Sequence, residues 1–417
     1  MTGRGHVVVL GAGMVGTASA VHLLRRGFQV TLVDRKGPAG ETSYGNAGVI
    51  SRGSIMPVML PSMWRALPRY MSNADPSVWV DWRYLPAIVP WLARLARAIT
   101  GPRLAATVAA LDALARHALA EHEALMQLSG AGRYLVREGW MKLYRSEASF
   151  RASGFERARL DEAGIRHAIY DPAALAEREP SLRPLYARAL HILDTASLTD
   201  PGAVCESHAR WFREAGGALL IDGVEGIEAR DDGYRVRLPG RHLDADHVVV
   251  ALGPWSRDFL KPLGYRLPMD FERGYHLHFT AGDGASLARP VCDIDGGFVL
   301  APMEKGIRVT SGVEFAGLDA PASRRQIDKV VPLARAAFPL GEPLQDEPWL
   351  GRRPSFPDSL PVIGPAPRHP GLWFAFGHGH IGLTLGPVTG RLVAEIIAGD
   401  TPLVDLAPYA ATRFDAA

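Results

Sequence analysis

Apolar positions follow two periods along this chain. His6 to Leu10 is a short β-branched run ending in Gly-rich sequence, and Met14, Ala18, Val21 and Leu24 follow at helical spacing to a stop at Gly27. Gln29 to Val33, apolar at Val30, Leu32 and Val33, ends on Asp34. Strand, tight turn, helix and a second, parallel strand thus fill the first 34 residues, as a doubly wound nucleotide-binding domain requires. The pattern then breaks. Pro57, Pro61, Pro68, Pro76, Pro86 and Pro90 interrupt Ile55 to Ile99, which also holds Trp64, Trp79, Trp82 and Trp91, so no long regular helix is expected there. Leu104, Val108, Leu111, Ala115, Ala118, His122 and Leu125 alternate spacings of four and three. They predict one long amphipathic helix that stops before Gly130.

Further strands are predicted around Met141 to Tyr144, Ala189 to Leu193, Ala218 to Ile221 and Asp246 to Leu252, with a helix from Pro201 to Glu214. A meander of Tyr275 to Thr280, Phe298 to Pro302 and Ile307 to Ser311 comes next, its strands separated by Gly-containing turns. The chain closes with a strand at Leu372 to Phe376, a Gly-rich turn, and a helix to Ala398 capped by Gly399. Nucleotide-type elements stand at both ends and in the middle. The expected fold is therefore α/β, a Rossmann-like domain of discontinuous segments (1–54, 197–265 and 350–417). An α+β domain on an antiparallel sheet (55–196 and 266–349) is inserted between them.

Composition narrows the partners. With 46 basic and 44 acidic residues the net charge is +2, which gives no reason to expect nucleic acid. Two cysteines, Cys205 and Cys292, are too few for a disulfide framework or a four-cysteine zinc site and suit a reducing compartment. Val7 to Leu10 is too short for a signal-peptide core, and no uninterrupted apolar run approaches the ~18 to 20 residues of a membrane span. The expectation is a cytoplasmic protein.

Gly11-Ala-Gly13-Met14-Val15-Gly16 is a G-x-G-x-x-G between a strand and a helix, the context that gives the pattern meaning. Gly11 permits the turn, Gly13 lets a pyrophosphate approach the backbone, and Gly16 allows close helix–strand packing. Phosphate then meets the helix N-terminus. Asp34, at the end of the second strand, is placed to accept bonds from an unphosphorylated ribose diol, which argues against NADP and leaves NAD and FAD. Gly40 to Ser51 follows almost at once, where a plain NAD domain would continue into a crossover helix.

Glu41-Thr-Ser-Tyr-Gly-Asn-Ala-Gly-Val-Ile-Ser51 resembles the signature of the small subunit of bacterial D-amino-acid dehydrogenases. These belong to the D-amino-acid oxidase, glycine oxidase and sarcosine oxidase group of FAD oxidoreductases. Ala251 to Ser256, Arg353 to Asp358 running into Pro361-Val-Ile-Gly364, and Gly377-His-Gly-His-Ile-Gly-Leu-Thr384 agree, in the family order. The resemblance implies a Rossmann-like FAD-binding domain with an inserted substrate domain. It assigns the cofactor to the glycine turn with Met14 and Val15, to Asp34 and Arg35, and to Thr42, Ser43, Asn46, Ala47 and Gly48. Ser43 and Asn46 suit simple turn chemistry equally well. It further assigns Val224 to adenine and Ala251 and Gly253 to the dinucleotide's side, though these also suit core packing. Gly377, His378, Gly379, Gly382, Leu383 and Thr384 would face the pyrimidine side of the flavin, where a helix N-terminus favours developing negative charge. Neither the Ser51 region nor this turn offers the family's covalent tether, unless His378 or His380 serves, so non-covalent FAD is expected. Without a third ligand the two turn histidines give no metal site.

For the substrate, the resemblance implies that Arg353 clamps an amino acid carboxylate, with Arg352 as the competing neighbour, and that the Tyr275 hydroxyl lies on the same carboxylate. His276 would then point elsewhere, and Tyr44 replaces the small residue usual at its place. The implied reaction is hydride transfer from Cα to flavin N5, giving an imino acid that water converts to a 2-oxo acid and ammonia. No general base is evident. Electrons would pass to a quinone-type acceptor. An oxygen-using oxidase, a D-proline or hydroxyproline dehydrogenase, and a flavin module without turnover are the alternatives. Ile55 to Ile99 carries Arg65, Arg69, Arg83, Arg94 and Arg97 against Asp75 and Asp81. It is read either as core or as a weak peripheral contact with the inner face of the membrane.

Overall fold

The structure is a computed structural model that describes residues 4–57, 67–282 and 284–415. β1 (His6–Leu10), α1 (Met14–Arg25) and β2 (Gln29–Asp34) form the expected unit. β1 lies at the centre of a six-stranded sheet ordered Ala218–Ile221, β2, β1, His247–Val250, Leu372–Phe376 and Val362–Pro365. All pairs are parallel except the last. Val7 to Leu10 and Val248 to Val250 are fully buried, as strands covered on both faces must be. On one face α1 packs against the C-terminal helix Gly382–Ala398 so closely that a Cβ at Gly390 would lie 2.5 Å from the Ala18 backbone. On the other, the meander Gly226–Arg230, Gly233–Leu238 and Arg241–Ala245 covers Val8, Leu10 and Val250.

The second sheet is built on the twelve-residue strand Asp270–Ala281, which pairs with Gly306–Thr310 and Trp349–Ser355. Helix Arg325–Ala337 covers one face, burying Tyr275, Leu277 and Phe279 against Ile327, Val330 and Ala334. The other face turns towards the first sheet.

Three expectations need correction. Leu85–Ala98 is a 14-residue helix despite its prolines. Pro86 lies in the first turn, where no N–H is needed, and the break at Pro90 is offset by burying Ile88, Trp91 and Leu95 with Ile99. Trp82 of the same stretch is exposed, whereas Pro61, Trp64 and Arg65 lie outside the described residues. The long helix, Gly101–Ser129, buries Leu111, Leu114 and Ala118 in the core that holds Val7, Ala18 and Leu392. It thus belongs to the nucleotide-type domain, not to 55–196: its apolar stripe demanded a partner face without specifying which. Trp349–Ser355 belongs by its hydrogen bonds to the second sheet, so the cut near 350 divides a strand from its partners. Gly379–Ala398 is long and apolar enough to cross a membrane, yet it is mostly buried as a core helix.

Candidate active site

A cavity of about 640 Å³ runs between the two sheets. At one end α1 begins after its N-cap Gly13, with no acidic residue in its first turn, so its dipole favours an anion there. Gly11 (φ +101°) needs its left-handed turn, because a Cβ there would meet the Ala251 carbonyl at 2.4 Å. Asp34 accepts from Ala12 N through Oδ2 (2.8 Å), and from Lys36 N and Gly37 N through Oδ1 (2.8 and 2.9 Å). It shapes the turn and keeps acceptor capacity on Oδ2 for a ribose. Arg35 lies over the Trp255 ring at 4.0 Å and pairs with Glu41 (2.9 Å), beside Val224.

Gly13, Met14, Val15, Asp34, Arg35, Thr42, Ser43, Asn46, Ala47, Val224, Ala251 and Gly253 line the cavity, as do Gly377, His378, Gly379, Gly382, Leu383 and Thr384. Ser43 Oγ accepts from Met14 N (3.0 Å), Asn46 Oδ1 from Gly48 N (2.9 Å), and Thr42 Oγ1 donates to the Arg352 carbonyl (2.8 Å). Two predicted contacts are not on the lining. A Cβ at Gly16 would fall 1.8 Å from the Gly11 carbonyl, and one at Gly48 (φ +78°) 2.3 Å from that of Leu198. Both are glycines for packing.

At the other end, cross-strand register decides the wall. Glu272 pairs with Arg353, Gly274 with Gly351 and His276 with Trp349, and all of these except His276 line the cavity. Arg353 lies across Gly274, where a Cβ would sit 2.1 Å from its Nη2, and donates Nη1 to the Gly312 carbonyl (3.1 Å). Burial pushes its pKa down and the nearby Glu272 opposes that shift. Arg352 points away, its Nε donating to the Leu318 carbonyl (2.8 Å).

Tyr275 lines the cavity, one residue out of that register, but the hydroxyl expected on the carboxylate is engaged elsewhere. Its ring packs behind the sheet, and its hydroxyl donates to Glu314 (2.5 Å) while accepting from Arg273 (2.9 Å) and Ser323 N (3.1 Å). With Arg273 fully buried and paired to Glu314, the hydroxyl has no capacity left for a substrate. His276, expected to point elsewhere, does not line the cavity and stacks on the back of Trp349 at 4.9 Å. Tyr44 is not on the lining but packs on both rings.

Sequence reasoning missed Arg308. Buried at 3% exposure, it donates Nη1 to the carbonyls of Tyr44 (3.0 Å) and Asn46, and Nε to His278 (3.0 Å). Desolvation lowers its pKa to about 10. It ties the signature loop to the second sheet, and Gly45 lets that loop lie against Trp349, a Cβ there falling 1.7 Å from the ring. The glycine was the available signal; the arginine had none. Glu272 was also missed. It is buried beside Arg353, and desolvation raises its pKa.

An anion site at a helix N-terminus, an acid for a ribose and a glycine-rich turn opening a second helix lie along one cavity, an arrangement that fits a flavin dinucleotide. The comparisons agree. The FAD dependent oxidoreductase family matches residues 6–396. A D-amino-acid oxidase from Bradyrhizobium diazoefficiens is 32% identical over 98% of this chain and 99% of its own length. A D-amino acid dehydrogenase from Chromohalobacter salexigens is 31% identical over 96% and 97%. Among solved structures, glycine oxidase from Geobacillus kaustophilus superposes with a TM-score of 0.76 at 22% identity, covering 99% of each chain. L-proline dehydrogenase from P. horikoshii gives 0.77 at 16% identity, covering 100% of this chain and 99% of its own. Cradle and comparisons together make this chain a member of the FAD dependent oxidoreductase family.

Proposed function

We propose that this protein is a D-amino-acid dehydrogenase that converts its substrates to 2-oxo acids and ammonia and passes the electrons to a quinone-type acceptor. One observation carries the reading: a half-buried guanidinium, Arg353, its pKa lowered by desolvation, faces the same cavity as the glycine turn Gly377 to Thr384. A carboxylate entering this site gains a bidentate partner that has already shed part of its water. The names of the two curated relatives support D-amino acids. Bound FAD supplies the two-electron acceptor for the hydride leaving Cα. The chain's own residues orient the substrate, Arg353 fixing its carboxylate against the wall of Thr310 and Val299. Non-covalent FAD is the reading: neither cysteine lines the cavity and His378 is engaged with Thr389, which leaves His380 as the one turn histidine for a tether, so release of intact flavin on denaturation is the expected result.

The acceptor reading draws on the helix Leu85–Ala98. Trp82 and Val89 are exposed beside the exposed Arg83, Arg94 and Arg97, a combination suited to weak contact with the anionic inner face of the membrane. Turnover of a panel of D- and L-amino acids and cyclic imino acids, followed with a soluble quinone and with oxygen, tests the whole reading. The expected result is oxidation of D-amino acids with fast quinone reduction and slow peroxide formation. Fast peroxide formation would make the protein an oxidase, and turnover confined to cyclic imino acids would replace the substrate.

A further inference from the structure

One side chain in the cavity has no task in this scheme. His380 stands in the turn between the strand Leu372–Phe376 and the helix Gly382–Ala398. Its neighbours Phe376, Gly377, His378 and Ile381 are buried, but His380 is exposed, and it lines the cavity. The contrast with His378 is chemical as well as geometric. His378 is buried with its Nε2 on Thr389 Oγ1 (2.9 Å), whereas no hydrogen bond among the described residues holds the His380 ring. Its exposed surface is turned into the cavity, so desolvation by the surrounding walls first, then the Arg353 and Lys142 cations, lower its pKa to about 4, and the ring is neutral at pH 7 with a free lone pair.

We propose that His380 is the proton acceptor of the reaction, its imidazole taking a proton from the substrate ammonium group while Arg353 holds the carboxylate. The inference rests on the amino acid reading above. An ammonium nitrogen has no lone pair, so no C=N bond can form until one N–H bond breaks. That proton goes to a ring nitrogen of His380. The freed lone pair forms the C=N bond as Cα gives up its hydrogen with the bonding electrons, and the proton passes from His380 to water after the product leaves.

The charges around His380 favour this order. Arg353 acts on it from the second sheet, Glu272 lines the same cavity, Lys142 is paired with Glu156 at the cavity wall, and the N-terminal end of Gly382–Ala398 adds positive potential. A bound carboxylate cancels the larger of the two cationic effects, so His380 becomes a stronger base once substrate is in place. Glu272 is the competing acceptor, but it is 1% exposed and lies against Arg353.

His380→Gln and His380→Asn test the proposal in the FAD-loaded enzyme. With the best D-amino acid of the panel, kcat/KM at pH 7 should fall by about 10² to 10⁴-fold, the usual share of a general base. The deficit should shrink in alkaline solution, where the substrate amine is already neutral, and added imidazole should restore part of the rate of His380→Ala. The Kd of a carboxylate without an amine, such as benzoate, read from the flavin absorbance, should not change. A loss equal at every pH, a weakened benzoate complex, or a wild-type rate at pH 7 would each overturn the proposal. Failure of the wild-type enzyme to oxidise any amino acid would instead remove the reading beneath it.

Discussion

Arg353 and Arg352 are chain neighbours with opposite fates, because successive residues of a strand face opposite sides of its sheet. Arg353 meets the cavity; Arg352 is spent on the Leu318 carbonyl. Arg353→Ala should therefore lower kcat/KM by about 2 to 5 kcal/mol, leaving a substrate carboxylate unpaired in a site with little water. Arg352→Ala should do much less, and equal losses in parallel kinetics would mean that the clamp is not Arg353. The same alternation turns the Tyr275 ring to the face behind the sheet, although the residue itself lines the cavity. Tyr275→Phe removes a donor to Glu314 and an acceptor for Arg273 and Ser323, so it should cost about 1 to 2 kcal/mol of stability in denaturant unfolding. Its kcat/KM should stay near wild type. A catalytic loss without a stability loss would return the hydroxyl to the substrate.

At the scale of elements, what was legible was what chain-local rules control. β1, α1 and β2, the helix Pro201–Glu214 and the strand Leu372–Phe376 follow their periodicity and caps, and Gly11, Gly13 and Asp34 line the cavity. Register was not legible, because it is set between segments far apart in the sequence. That is why Tyr275, expected on the carboxylate, turns its ring behind the sheet, why the Arg308 clamp on the signature loop went unseen, and why Trp349–Ser355 was cut from its partners. Gly274 held a clue: a glycine inside a strand marks a close approach, and here Arg353 makes it. Gly274→Ala should push the guanidinium aside, since the added carbon would sit 2.6 Å from its Cζ. Because the displaced atoms end a flexible side chain, the melting temperature should change little. A 1 Å misplacement of a clamp can cost about 10²-fold, so kcat/KM should drop towards that of Arg353→Ala. Unchanged kinetics would show that the clamp has room to move.

For the whole molecule, discontinuous segments are joined partly through buried histidines, and these set its response to acid. His122 of the long helix donates Nε2 to the Leu383 carbonyl at the flavin turn (2.8 Å), His208 of Pro201–Glu214 bonds Ser129 Oγ through Nδ1 (2.8 Å), and His378 bonds Thr389. Desolvation lowers their pKa values to about 4, about 3 and about 3, below the ~6.5 of an unfolded histidine. Between those values the unfolded chain binds more protons than the folded one, so stability rises with pH through that window. Their contribution is fully present above about pH 6.5 and is lost as pH falls towards the folded values. At pH 5 each histidine should cost about 2 kcal/mol, and three such losses are a large part of the ~5 to 15 kcal/mol that holds a typical domain together. The melting temperature of the FAD-loaded protein should therefore be flat between pH 8 and 7 and fall steeply by pH 5, with flavin released in the same transition. His122→Gln, which keeps a donor for Leu383 but cannot take up a proton, should flatten that slope by about one histidine's share. A melting temperature that holds to pH 5, or a His122→Gln slope as steep as wild type, would show that these rings do not carry the acid response.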